Sequence, residues 1–222
     1  ELASLSVGRA KKVVDGFLYR FNVPADMAVL LLGLGAALQK YGSIENAFVQ
    51  IFRQHRDWRL AMAQFASLIR SMAPETEVER HIGKTRGLAH LLPMGQGGVA
   101  KRMTLFLRWM VRGPDAIDFG IWNELDASEL RAPLDTHVAR IARQLNFTRR
   151  RDLSWRTVEE VTASLRMIDA DDPIRYDFAL CHFGMSANCP LTPQISHCRA
   201  CSLRCAHRPR RSVCARRRTP PR

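Results

Sequence analysis

The chain has 222 residues and a mass of 25.2 kDa, is 46% hydrophobic and 25% charged, and so holds enough apolar sequence for one large or two small cores, which excludes wholesale disorder. Six cysteines in that length exclude a disulfide-stapled miniprotein. Thirty-four lysines and arginines against 21 acids give +13, with no acid after Asp177, and a basic excess of this kind favours a polyanionic partner. Seven of the arginines fall in residues 206–222, an acid-free and proline-punctuated end that cannot form a core and is expected to be a disordered basic tail; without it the remaining charge is +6.

The periodicity is helical throughout, with no clean run of apolar and polar alternation and no internal repeat, so the expected class is all-α. Leu5, Val13, Val14, Phe17, Leu18 and Phe21 mark an opening helix with Pro24 near its end. A buried helix follows over 28–40. Its apolar run, 28–38, is too short to span a bilayer and is interrupted by Gly33 and Gly35, which, with no signal peptide ahead of it, fits a cytoplasmic protein. Amphipathic helices are expected over 44–52 and 59–72, the second ended by Pro74 and followed by a polar linker. Residues 88–92 read as a helix end, Pro93-Met94-Gly95-Gln96-Gly97-Gly98 as a glycine-rich hairpin and 101–111 as the next helix, giving the order helix, hairpin, helix. An irregular segment containing Phe119, Ile121 and Trp122 follows Gly113-Pro114. Asp135 then takes the N-cap position of a helix over 136–145. Ser154 caps another, with Val158, Val161, Leu165 and Ile168 on one stripe, and Asp172-Pro173 opens the last, through Cys181.

Several groups along this chain can carry chemistry. Lys101 is the last of five lysines against 29 arginines. Arginine stays protonated and cannot serve as an amine nucleophile, whereas lysine can; the plainer role is a solvated lysine on a basic helix. Asp135 reads first as a helix cap, and the same position holds a carboxylate where it can stabilise a cationic, oxocarbenium-like sugar. Gly95, Gly97 and Gly98 let backbone N–H groups converge on an anion at a helix start, although a turn between packed helices needs no ligand. Arg102, Arg108 and Arg112 recur at spacings of six and four, and face phosphate or plain solvent. Phe119 and Trp122 can stack on an extruded base or belong to the core. Cys189, Cys198, Cys201 and Cys205, with gaps of eight, two and three residues, read as a soft metal site for zinc or an iron–sulfur cluster, with His197 able to replace one ligand and scattered free cysteines as the alternative.

Leu134-Asp135-Thr136-His137-Val138 with Arg140 resembles the aspartate motif of the helix-hairpin-helix DNA glycosylases of the endonuclease III type, whose hairpin lies upstream and ends in a catalytic lysine. Residues 176–189, with Gly184 five residues before Cys189, resemble the family's helix leading into its four-cysteine loop. The similarity runs from about Leu88 to Cys205, and residues 2–21 more loosely resemble the family's early helix. Within the superfamily, Lys101-Arg102-Met103 through Arg112, Asp118-Phe119-Gly120-Ile121-Trp122 and Pro133-Leu134-Asp135 look most like a bacterial branch described only as a domain of unknown function, and the wide separation of lysine from aspartate resembles the archaeal 8-oxoguanine glycosylase. Met94 stands where the family's hairpin has its first glycine, Lys101 lies eight residues after Pro93, and the cysteine gaps differ from those of endonuclease III.

The resemblance implies a helix-hairpin-helix glycosylase fold with a C-terminal cysteine-rich metal loop. A helical barrel domain would span 22–135 and a cluster-bearing helical domain 1–21 plus 136–205, its N-terminus truncated. It further implies base-excision repair through Lys101 and Asp135, with lyase activity through a lysine Schiff base, a 4Fe-4S cluster or zinc on the four cysteines, and an oxidised purine as lesion. The partner would be double-stranded DNA with a damaged base or abasic site, bound by a monomer in the cytoplasm at the nucleoid and not at a membrane. The alternatives are a noncatalytic, metal-stabilised DNA-binding protein and a zinc-stabilised helical interaction protein.

Overall fold

In the computed structural model, which describes residues 1–93, 98–186, 189 and 201, the regular elements are helices and no strand occurs among the described residues. The chain divides into two compact units, Glu1–Asp126 and Ala127–Arg222.

The first unit holds α1 (Val7–Val13), α2 (Pro24–Tyr41), α3 (Ile44–His55), α4 (Trp58–Met72), α5 (Glu75–His81), α6 (Leu88–Leu91) and α7 (Lys101–Val111). Residues 1–21, expected with the second unit, lie here, because α1 buries Ala10 and packs on α2 and α5. The opening helix also stops eight residues before Phe21. Beyond it Tyr19 and Asn22 exchange backbone hydrogen bonds (3.2 and 2.9 Å) around Arg20, which sits at φ +55, and this tight turn leaves Leu18, Tyr19 and Phe21 exposed.

α2 begins with Pro24, whose fixed φ suits a first helical residue. Its apolar residues are spread round the helix because neighbours cover several sides: Ala28, Val29, Leu32 and Ala37 are all buried. Gly33 lets α4 approach closely, since a Cβ there would stand 2.1 Å from Ile69 O. On α4, Trp58, Ala61, Met62, Phe65, Ala66 and Ile69 follow the three-and-four spacing of one helical face. Phe48 of α3 is the hub of the aromatic core, with ring centroids 5.5–6.3 Å from Phe52, Trp58, Phe65 and Trp122.

The stretch expected as a polar linker is α5. A single apolar residue, the buried Val78, gives no period to read, yet Glu75 and Glu77 at its start and Arg80 and His81 at its end suit the helix dipole.

The second unit holds α8 (Thr136–Gln144), α9 (Trp155–Arg166) and α10 (Asp177–Met185), with α8 packed on α10 and a core that includes Leu130, Leu134, Ile141, Val158, Val161, Leu165 and Ile174. Ser154 caps α9 as expected. Ile168 leaves the expected stripe because the helix ends at Arg166, and α10 starts at Asp177, later than Asp172-Pro173. Among the described residues no single helix is long and apolar enough to cross a membrane; α2 and α3 pass that test only jointly, across a 77° bend.

Candidate functional site

The first unit carries the expected amine at the start of α7. Gly98 (φ +74) and Ala100 (φ +46) turn the chain through the left-handed region, and Ala100 O accepts from Met103 N and Thr104 N at 2.9 and 3.0 Å. Lys101 is therefore the first helical residue, and it is half-buried. Gly95 and Gly97 lie outside the described residues. Arg102 is exposed and donates from Nη1 to His90 O at 3.0 Å, tying α7 to α6, and the His90 ring stacks on Phe21 with centroids 5.2 Å apart.

The entry to α6 rests on two groups that sequence reasoning missed. Asp26, fully buried near the start of α2, accepts from Val23 N, Arg86 N and Gly87 N at 2.8–3.0 Å. Asn22 donates its amide to Gly87 O at 2.8 Å. Three N–H donors make burial of the Asp26 carboxylate tolerable. An acid in the first turn of a helix that opens on proline was the available signal.

Arg108 corrects the expectation of a phosphate-facing row. It is 2% exposed, and its Nε and Nη2 donate to Asp118 Oδ2 at 3.3 and 3.1 Å. Arg112 Nη1 donates to the same oxygen at 2.6 Å and to Asp115 Oδ2 at 2.8 Å. Arg108 lies in the last turn of α7 and Arg112 is its C-cap, and the loop after the helix brings a buried carboxylate back to both. Asp115 in turn accepts from Asp118 N and Ile117 N at 2.8 and 2.7 Å; these backbone bonds, with Arg112 as a lesser contributor, hold its carboxyl below the usual range.

Trp122 is likewise core and not a base platform: it is 6% exposed, against Phe48 at 5.9 Å and Phe106 at 5.6 Å. Phe119 is 60% exposed, so of the two expected aromatics it alone lies at the surface.

In the second unit Asp135 is the N-cap of α8. Its Oδ1 accepts from Val138 N at 2.8 Å, and the Cys181 thiol of α10 donates to its Oδ2 at 3.5 Å. Gly184 makes this packing possible, since a Cβ there would meet the His137 Cβ at 2.9 Å, and His137 Nδ1 lies 3.1 Å from Gly184 O. Arg140, further along α8, donates to Gly184 O and, through Nη1, to Cys189 O at 2.6 Å and Cys189 Sγ at 3.3 Å. One helix thus begins at the expected acid and reaches the first expected metal ligand.

Cys189 and Cys201 are half-buried, while Cys198 and Cys205 lie outside the described residues. Among the described residues no three His, Cys, Asp or Glu side chains converge as a metal site. The donor chemistry still suits a soft metal, because a guanidinium against Cys189 Sγ is the kind of outer partner that complements a metal-bound thiolate.

Residues 3–186 match a protein family of unknown function, DUF2400. No curated protein and no solved structure matches the chain.

Proposed function

The chain belongs to the DUF2400 family, and from the groups just described we propose that it is a base-excision DNA glycosylase of the helix-hairpin-helix type with abasic-site lyase activity. One observation carries the reading: a lysine is the first residue of α7 and an aspartate is the N-cap of α8, in the chain order of the glycosylases the sequence resembles.

The glycosidic carbon of a stacked nucleotide is inaccessible, so the damaged nucleotide leaves the duplex before chemistry. Lys101 Nζ attacks C1′ through its nitrogen lone pair. The C1′–N bond breaks, its electron pair leaves on the base, and the base takes up a proton. Asp135, its Oδ1 held by Val138 N, stabilises the positive sugar and accepts the proton that the amine releases. Ring opening gives a C1′=N Schiff base, and loss of a C2′ proton then expels the 3′ phosphate by β-elimination. The scheme requires the amine and the carboxylate to meet at one deoxyribose. Cys189, Cys198, Cys201 and Cys205 would hold a 4Fe-4S cluster or zinc, which would brace the loop that carries them. Exposed Arg102 and Phe119 are the surface groups suited to phosphate and base. The protein would act as a monomer on damaged duplex DNA at the nucleoid, and an oxidised purine is the first lesion to test.

Borohydride reduction in the presence of an abasic duplex should crosslink the wild type and not Lys101→Ala, and Asp135→Asn should slow trapping by roughly 10²–10³-fold. No adduct on any lesion duplex, or an adduct indifferent to Lys101→Ala, would overturn the reading. Binding without an adduct would leave the noncatalytic DNA-binding protein. A visible absorption band from a thiolate-ligated cluster would separate iron–sulfur from zinc.

A further inference from the structure

The second unit contains a cavity of about 420 Å³ whose lining includes Arg140, Arg143, Arg149 and Arg151 and no carboxylate. Its shape follows from how α8 ends. Asn146 sits at φ +60, Asn146 N donates to Arg143 O at 3.2 Å and Phe147 N to Ala142 O at 2.8 Å, a pair of bonds that closes the helix and turns the chain back. The returning segment is held beside α8 by Arg143 Nη1, 3.5 Å from Arg150 O, and its Thr148 hydroxyl donates to Glu160 Oε2 at 2.6 Å.

The three consecutive arginines that follow are not equivalent. Arg150 is paired with Asp152 (3.2 Å) and Glu160 (3.8 Å), whereas its neighbours on either side, Arg149 and Arg151, line the cavity. That is the alternation of an extended segment. Among the described residues Arg149 and Arg151 have no acidic partner, and both are exposed. Arg140 alone of the four also reaches a cysteine sulfur among the described residues. The exposed guanidiniums of Arg149 and Arg151 repel each other and the neighbouring Arg140 and Arg143 unless an anion joins them. Residues 178–222 have no side-chain carboxylate to supply it, because no Asp or Glu follows Asp177.

We propose that this arginine-lined cavity is a phosphate-binding site, distinct from Lys101 and Asp135, that grips the backbone of nucleic acid. Planar guanidiniums match phosphate oxygens in a bidentate fashion, and several of them around an open cavity fit a run of phosphodiesters or the phosphates of a free polyphosphate equally well. The choice of nucleic acid rests on the function proposed above, while the phosphate chemistry does not.

The test uses the full chain and duplex DNA carrying a stable abasic-site analogue, with affinity measured across roughly 50–200 mM salt. Each lost phosphate contact reduces the slope of log affinity against log salt by about 0.9. Arg149→Gln/Arg151→Gln should therefore flatten it by roughly two units, on damaged and undamaged duplex alike. Arg149→Lys/Arg151→Lys, which keeps the charge, should retain most of the slope. Lys11→Gln/Lys12→Gln, an equal charge loss on exposed α1, should flatten it less. Melting curves establish that each variant is folded. In a second arm, calorimetry with pyrophosphate reports free polyphosphate. Binding that needs Arg149 and Arg151, with the DNA slope unchanged, would support the phosphate site and reassign its source. If neither the DNA slope nor pyrophosphate binding depends on these arginines, or the lysine control has an equal effect, the proposal falls. Failed borohydride trapping with a flattened slope would remove the glycosylase reading and leave the phosphate site; trapping with an unchanged slope and no pyrophosphate binding would do the reverse.

Discussion

Removing the Asp118 carboxylate tests what fixes the segment after α7. Asp118 is 2% exposed, and the Arg108 side chain it serves is also 2% exposed. Asp118→Leu takes the carboxylate away from an Arg108 charge that almost no water reaches, and loss of one partner of such a buried pair costs about 3–5 kcal/mol. Arg112 adds little to that figure, since Asp115 still accepts from it at 2.8 Å. For a unit the size of Glu1–Asp126 each kcal/mol moves the melting midpoint by roughly 3–5 °C, so the midpoint should drop by on the order of 10–20 °C. Adding Arg108→Met removes the remaining buried charge and replaces the pair with apolar groups, an exchange that is close to neutral for buried pairs, so the double variant should recover most of the loss. Urea and thermal unfolding followed by circular dichroism, run on all four members of the cycle, should give a coupling energy of at least about 3 kcal/mol, because the second change offsets most of the cost of the first. A single-variant loss below about 1 kcal/mol, the range of exposed pairs, or simple additivity in the double variant, would refute the reasoning.

Two further outcomes separate structural from chemical roles. Asp135→Asn keeps a capping acceptor and should leave the melting midpoint unchanged, whereas Asp135→Ala should lose about 1 kcal/mol; equal losses in the two variants would contradict the cap geometry. Asp115 ionises more readily in the folded chain, so its contribution is complete above the ordinary carboxylate value of about 3.9 and fades as pH falls through its lower folded value. Urea midpoints between roughly pH 5 and pH 2 should therefore fall less steeply for Asp115→Asn than for wild type, and parallel curves would rule this out.

Local chemistry made the helix starts legible. Lys101 opens α7 and Asp135 and Ser154 cap α8 and α9 where sequence placed them, because caps and apolar periods act within one turn. α5 was missed because one apolar residue gives no period, and the opening helix was overextended because the apolar residues from Phe17 to Phe21 imitate one. At the site, charge alone said nothing of burial. Arg108 and Arg112 followed by Asp115 and Asp118 was the only trace of the internal pairing, since its acids lie in irregular chain. The contact between Cys181 and Asp135 depends on how α10 meets α8, and the division of Arg149, Arg150 and Arg151 between cavity and ion pairs depends on backbone direction. Neither is encoded in spacing.

The stretch from Asp118 to Trp122 is moored at both ends by interior side chains, and Phe119 N and Trp122 N bond the carbonyls of Trp109 and Met110 at 2.7 and 2.8 Å. Phe119 and Ile121 hang outside these moorings at 60% and 62% exposure, so the helices beneath place no demand on the identity of either side chain. The arch works as a cassette: its span is set by the scaffold, and its outward positions are open to be rewritten by whatever surface they come to meet.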